Sequence, residues 1–124
     1  MKFLVVDDSA TMRRIVINTL KAIGYDQVVE AGDGNEALAR LAIEDVQFVI
    51  TDWNMPNMSG LELTRALRAH EKYAGVPILM VTTRGVKEDI VEALQAKVSN
   101  YIVKPFTPAV LKEKIDAILK TVPA

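Results

Sequence analysis

The sequence predicts an α/β fold, one parallel sheet covered by helices on both faces, and three observations predict it. Short β-branched runs alternate with longer segments of helical period five times along the chain, the pattern of doubly buried strands joined by crossover helices. Helix-boundary residues fall between the two kinds of segment. Gly24 stands behind the first helical stretch as a C-terminal stop, and Thr107-Pro108 precedes the last as a capping hydroxyl and an N1 proline. Finally, strongly polar residues stand at the carboxyl ends of the apolar runs, the edge at which open parallel sheets bind ligands.

Taken in order, the predicted strands are Lys2–Val6, Gln27–Ala31, Phe48–Thr51, Ile78–Thr82 and Asn100–Val103, all short and mostly apolar. The predicted helices are Ser9–Ile23, Gly34–Ile43, Ser59–His70, Lys87–Ala96 and Pro108–Thr121. In the first helix Met12, Val16, Leu20 and Ile23 fall on one stripe, and in the last Leu111, Ile115, Ile118 and Val122 do the same. Both stripes therefore face a core. With no linker, internal repeat or low-complexity tract, the expectation is a single domain over residues 1–124 with no attached output module, acting as a monomer by contact.

Composition narrows the function classes. At 124 residues the chain can bury about two thirds of its unfolded surface in one core. Fifteen basic and sixteen acidic residues leave a net charge of -1, so global charge recruits neither nucleic acid nor an acidic membrane. The absence of cysteine removes disulfides, thiolate catalysis and zinc-thiolate sites. The N-terminal apolar run stops at Asp7-Asp8, too soon for a signal peptide, and no stretch approaches the roughly 18 apolar residues of a membrane span. A cytoplasmic location is expected.

The chemistry lies at the strand ends. Asp7 and Asp8 follow Lys2–Val6, Asp52 follows Gln47–Thr51, Thr82 ends the fourth strand, and Lys104 follows Tyr101–Val103. Carboxylates about 5 Å apart repel by roughly 3 kcal/mol per pair at an effective dielectric near 20. Lys104 supplies one compensating charge, and a hard divalent ion such as Mg2+ supplies the rest through oxygen ligands, keeping further positions for water or phosphate. Metal and phosphate form a natural pair. If one carboxylate attacks a phosphoryl donor, the aspartyl phosphate that results needs a metal, an ammonium and a hydroxyl, and Thr82 and Lys104 are of the last two kinds.

Singly, each residue has a plainer reading. Asp7-Asp8 fits a helix N-terminus leading into Ser9, and Asp52 followed by Trp53–Gly60 fits a turn into a helix. Thr82 fits a strand end, and Lys104 a solvated lysine before proline. Their convergence on one sheet edge favours the site. Elsewhere His70, the only histidine, fits a surface or dipole role near a helix end. Met12, Met55 and Met58 fit gap-filling, and Phe106 fits the core. Trp53 is expected packed but partly exposed beside Asp52.

Val5-Val6-Asp7-Asp8-Ser9, Asp52-Trp53-Asn54-Met55-Pro56, Val81-Thr82-Thr83 and Tyr101-Ile102-Val103-Lys104-Pro105-Phe106 resemble the four signature blocks of bacterial response-regulator receiver domains. The match spans the chain and is closest to stand-alone chemotaxis members. It implies a flavodoxin-like, doubly wound sheet of five parallel strands in the order 2-1-3-4-5 with five helices. It implies that Asp52 accepts a phosphoryl group from a histidine kinase of the chemotaxis type, and that Asp7, Asp8, Asp52 and the backbone carbonyl of Asn54 hold Mg2+. Thr82 and Lys104 would pair with phosphoryl oxygens, the Lys104-Pro105 peptide would be cis, and Tyr101 would turn inward as Thr82 moves. Lys87, Ile90, Tyr101, Val103 and Lys114 would form the switched face, its partner the flagellar motor switch protein, with a phosphatase as a further partner. Such a protein is no enzyme in the ordinary sense, but it takes phosphoryl groups from small donors weakly and sheds them.

The resemblance departs at two places. Where relatives carry Ala-Gly-Ala-Ser-Gly, this chain reads Ala96-Lys97-Val98-Ser99-Asn100, and Asn100 suits a left-handed backbone better than Lys97 does. Position 84 is Arg where close relatives often carry an acid. The rival readings are a phosphorelay intermediate, a receiver for some other protein, and a carboxylate/Mg2+ phosphatase of the haloacid-dehalogenase kind. The last needs an Asp two residues after its nucleophile, and position 54 is Asn.

Overall fold

The computed structural model describes residues 1–83 and 87–121, and of 87–89 the backbone alone. The chain alternates β1 (Phe3–Val6), α1 (Ala10–Ala22), β2 (Val28–Ala31), α2 (Gly34–Ile43), β3 (Phe48–Asp52), α3 (Gly60–Arg68), β4 (Ile78–Thr82), α4 (Lys87–Gln95), β5 (Asn100–Val103) and α5 (Pro108–Thr121). All strand pairs are parallel and the sheet runs β2-β1-β3-β4-β5. From β1 the chain steps outward to β2, then crosses back to β3. The strand order therefore reverses between β1 and β3, the position at which a doubly wound sheet opens a crevice at its carboxyl edge.

Alternation along the strands builds two cores. Leu4 and Val6 of β1, Val49 of β3 and Ile78 and Met80 of β4 enter one cluster, with Leu61, Leu63 and Leu67 of α3 and Ala93 of α4. Phe3, Val5, Phe48, Ile50, Leu79, Val81 and Ile102 enter the other, with Val16 and Leu20 of α1 and Leu111, Ile115 and Ile118 of α5. Strand side chains alternate between faces, so parity sorts the site residues as well. Asp7, Asp52 and Lys104 continue the rows that face α1 and α5, whereas Thr82 and Tyr101 continue the rows that face α3 and α4.

The helix stripes of the first and last segments lie buried or half-buried as expected, except that Val122 is outside the described residues. Caps fix the boundaries. Ser9 Oγ accepts from Met12 N–H, Asp33 accepts from Glu36 N–H, Ser59 and Glu62 close a capping box, and Thr107 Oγ1 accepts from Val110 N–H. The third helix ends at Arg68, two residues before the expected His70: Ala69 N–H still donates to Arg65 O at 3.1 Å, but His70 N–H donates to Leu67 O at 3.0 Å in a tighter turn. Gly24 follows α1 with φ 104°, as a C-terminal stop requires. Among the described residues no helix is long and apolar enough to cross a membrane.

Candidate functional site

The carboxyl edge of β1, β3, β4 and β5 is brought level by register: Val6 pairs with Thr51, Asp52 with Val81, and Thr82 with Val103. Carboxylate oxygens of Asp7, Asp8 and Asp52 consequently lie within 4.8 Å of one another. Lys104 reaches the same point from the end of β5, its Nζ 3.0 Å from Asp52 Oδ1 and 3.8 Å from Asp7 Oδ2. Three carboxylates face one ammonium. Asp52 is the last residue of β3 rather than the first beyond it, because the ladder continues through Trp53 N–H to Val81 O at 3.1 Å.

The three acids differ in environment. Asp7 is buried, its N–H donates to Ala31 O at 3.1 Å, and its Oδ1 accepts from Ser9 N–H at 2.9 Å. Its carbonyl oxygen accepts from Arg13 Nη1. Burial pushes the Asp7 carboxyl above the usual carboxylate range; the neighbouring Asp52 and Asp8 charges push the same way, while the Ser9 N–H and Lys104 oppose them. Asp8 is exposed and Asp52 half-buried. Hard oxygen donors gathered this closely, one of them desolvated and two of them sharing a single lysine, fit a small divalent cation with room for water or phosphate in its remaining positions. Asp7, Asp8 and Asp52 are the side chains that could hold it.

The remaining candidates surround this cluster. Asn54 is exposed in the β3–α3 loop. Thr82 is buried, and its carbonyl accepts from Lys104 N–H at 2.8 Å, which ties the lysine's backbone to β4. The Lys104-Pro105 peptide is cis. Thr83, Met12, Ile15, Lys104, Pro105 and Phe106 line a cavity of about 320 Å³ beside the cluster. On the other phase of the sheet, Tyr101 is half-buried with the Lys114 ammonium 5.1 Å from its ring centre. Ile90 is half-buried and Val103 exposed. The Lys87 side chain and Arg84 lie outside the described residues.

Several expectations require correction. Trp53 is 4% exposed rather than partly solvated, because alternation sends its side chain away from Asp52 into the core beneath α3. Phe106 is only half-buried, packed against the edge of the α1/α5 core. The left-handed residue ahead of β5 is Lys97 itself, at φ 72°, while Asn100 has entered the strand. Two contributors lie outside the sequence expectations. Arg13 looks like any basic residue on a solvated helix face, yet it reaches back to Asp7. Gly60 looks like a turn former, yet its N–H donates to Trp53 O at 2.8 Å and its α-carbon abuts the Asp52 carbonyl so closely that an added Cβ would overlap it. Only the Ser59-Gly60 cap pattern hinted at the latter.

Comparison with known proteins agrees with the fold. Residues 3–116 match the family model of the response regulator receiver domain. A Campylobacter jejuni protein named Chemotaxis protein CheY homolog is 59% identical over 122 residues, covering 98% of this chain and 94% of that protein. The Helicobacter pylori Chemotaxis protein CheY1 is 55% identical over 122 residues, 98% of each chain. Among solved structures, the chemotaxis response regulator CheY4 of Vibrio cholerae shares 38% identity at a TM-score of 0.87 over 94% of this chain and 97% of its own. A putative response regulator from Chloroflexus aurantiacus shares 30% identity at 0.90, covering 96% and 97%.

Proposed function

The chain belongs to the response-regulator receiver family as a CheY-like chemotaxis regulator, and we propose that Asp52 is its phospho-acceptor, with a histidine kinase of the chemotaxis type as donor. The observation that carries this reading is the acid cluster with Lys104 Nζ 3.0 Å from Asp52 Oδ1. An Asp52 carboxylate oxygen forms the new O–P bond as the P–N bond of the donor's phosphoimidazole breaks, and the electron pair leaves with the imidazole. Lys104, already paired with Asp52, turns its ammonium to a phosphoryl oxygen without crossing the site. Asp7, Asp8, Asp52 and the Asn54 carbonyl would hold Mg2+, which supplies positive charge to the phosphoryl oxygens.

Thr82 then acts as the reporter. Its hydroxyl bonds a phosphoryl oxygen, and because Thr82 and Tyr101 occupy the same phase of adjacent strands, its movement vacates space that Tyr101 fills. A phosphoryl group with one or two charge-assisted hydrogen bonds biases such an equilibrium by a few kcal/mol, on the order of what inverting two populations takes. The switched face of Lys87, Ile90, Tyr101, Val103 and Lys114 binds the flagellar motor switch protein, and a phosphatase resets it. Acetyl phosphate with Mg2+ should add one phosphoryl mass to the wild type and none to Asp52→Asn. Undiminished phosphorylation of that variant overturns the assignment.

A further inference from the structure

Asp7 is fixed by its neighbours on three sides. Its N–H is bound by the end of β2 through Ala31 O, its carboxylate by Ser9 N–H, and its carbonyl oxygen by Arg13. Asp8 has no such support: it is exposed, and among the described residues no hydrogen bond or ion pair holds its carboxylate. What places the Asp8 side chain acts through its two flanking peptides: Asp8–Ser9, whose N–H donates to Asp7 Oδ1, and Asp7–Asp8, whose carbonyl accepts from Arg13. Arg13 grips the latter.

The arginine does so with a fork set across two elements. Nη1 donates to the Asp7 carbonyl and Nε donates to Glu30 Oε1 at 3.1 Å, so one planar group joins the β1–α1 loop to the end of β2. Its side chain is 19% exposed and that of Glu30 53%. An ion pair this open contributes little stability by itself; its effect is to aim the guanidinium. Electrostatics does not account for the placement either. A fixed cation beside an acidic pocket repels an incoming cation, so by charge alone Arg13 would weaken metal binding.

We infer that Arg13 is a positioning residue for metal binding, holding the Asp7–Asp8 peptide so that the Asp8 carboxylate stays directed into the acid cluster, with Glu30 orienting its guanidinium. The inference rests on the reading of that cluster as a Mg2+ site. A lysine cannot replace the arginine, since its single ammonium does not span the carbonyl and the carboxylate with fork geometry.

The test is calorimetric titration of Mg2+ into unphosphorylated wild type, Arg13→Lys, Arg13→Met and Glu30→Gln, each shown by urea unfolding to be folded under the titration conditions. Loss of an orienting partner typically costs about tenfold in metal affinity. Both Arg13 variants should therefore raise the Mg2+ Kd by about tenfold, and Glu30→Gln by a smaller factor. Should Arg13→Met fail to fold, Arg13→Lys and Glu30→Gln carry the measurement. A structural role alone leaves the Kd of folded protein unchanged, and a charge effect alone tightens Arg13→Met and spares Arg13→Lys; either result overturns the inference. Wild type that binds no Mg2+ overturns the metal reading itself, and the positioning role with it.

Discussion

Lys104 Nζ sits 3.0 Å from Asp52 Oδ1 and 3.8 Å from Asp7 Oδ2, so one ammonium is shared between two carboxylates, one closing β3 and the other just beyond β1. The three side chains are 16%, 12% and 6% exposed. Removing the lysine leaves Asp7 and Asp52 without their cation, with an Asp8 carboxylate oxygen still within 4.8 Å of theirs. In the absence of divalent metal, Lys104→Met should destabilise the fold by about 2 kcal/mol, less than for a fully buried pair because water reaches the cluster. Added Mg2+ should stabilise the variant more than it does the wild type. Urea unfolding in EDTA and in Mg2+ measures both, and equal stabilisation by Mg2+ would separate Lys104 from the acid cluster.

Asp7 makes the opposite contribution. Burial, aided by the charge of Asp52, lifts its folded-state pKa above the ordinary carboxylate value. A raised carboxylate pKa means that the fold prefers the protonated acid: stability is full below the unfolded pKa of about 3.9 and is lost as pH rises through the folded value. Asp7→Asn keeps an oxygen for the Ser9 N–H and removes the charge. In EDTA at pH 7 the variant should be more stable than the wild type, with the difference shrinking as pH falls into the acid range. Chemical denaturation across that range checks it, and a variant less stable at neutral pH would contradict the desolvation argument.

Gly60 fixes the chain leaving Asp52. A Cβ there would overlap the Asp52 carbonyl oxygen and come 2.8 Å from Met80 Sδ. Met80 can shift, but a strand-end carbonyl cannot. Gly60→Ala should cost about 3 kcal/mol, the upper range for overpacking, and should slow phosphorylation from acetyl phosphate, because relief of the overlap moves the Asp52 peptide. An alanine variant of wild-type stability and rate would show that the α3 N-terminus shifts freely.

What the sequence made legible followed from local rules. Strand alternation, the Thr107 and Ser59 caps and the Gly24 stop are encoded by near neighbours, and polar residues at strand ends point to the edge where Asp7, Asp8, Asp52 and Lys104 meet. The strand order follows from the family resemblance, and the sheet has it. What stayed hidden depends on contacts distant along the chain. Trp53, expected packed but partly exposed beside Asp52, is buried because it takes its face from a ladder bond to Val81. Arg13 gives no periodic signal, since its partners lie in β2 and the β1–α1 loop. Lys97 takes a left-handed backbone that its type disfavours, because the geometry of the turn into β5 outweighs intrinsic preference.

That turn is held from outside by Arg68, which donates from Nε to Lys97 O at 2.9 Å and from Nη1 to Val76 O at 2.6 Å and Ala74 O at 3.2 Å. One guanidinium thereby joins the end of α3 to the loop before β4 and the loop before β5. Lys97→Gly removes the left-handed penalty and should stabilise the protein by about 0.5–1 kcal/mol, offset in part by the freer unfolded chain. Arg68→Met leaves three carbonyls without their donor and should cost about 2–3 kcal/mol. The two changes share a hydrogen bond, so they should not add. With the arginine absent, the turn is freer to relax around Lys97, and the gain from Lys97→Gly should shrink by about 0.5 kcal/mol or more in the double variant. A double-mutant cycle by urea unfolding measures this; strict additivity would mean that Arg68 does not hold Lys97 in its left-handed conformation.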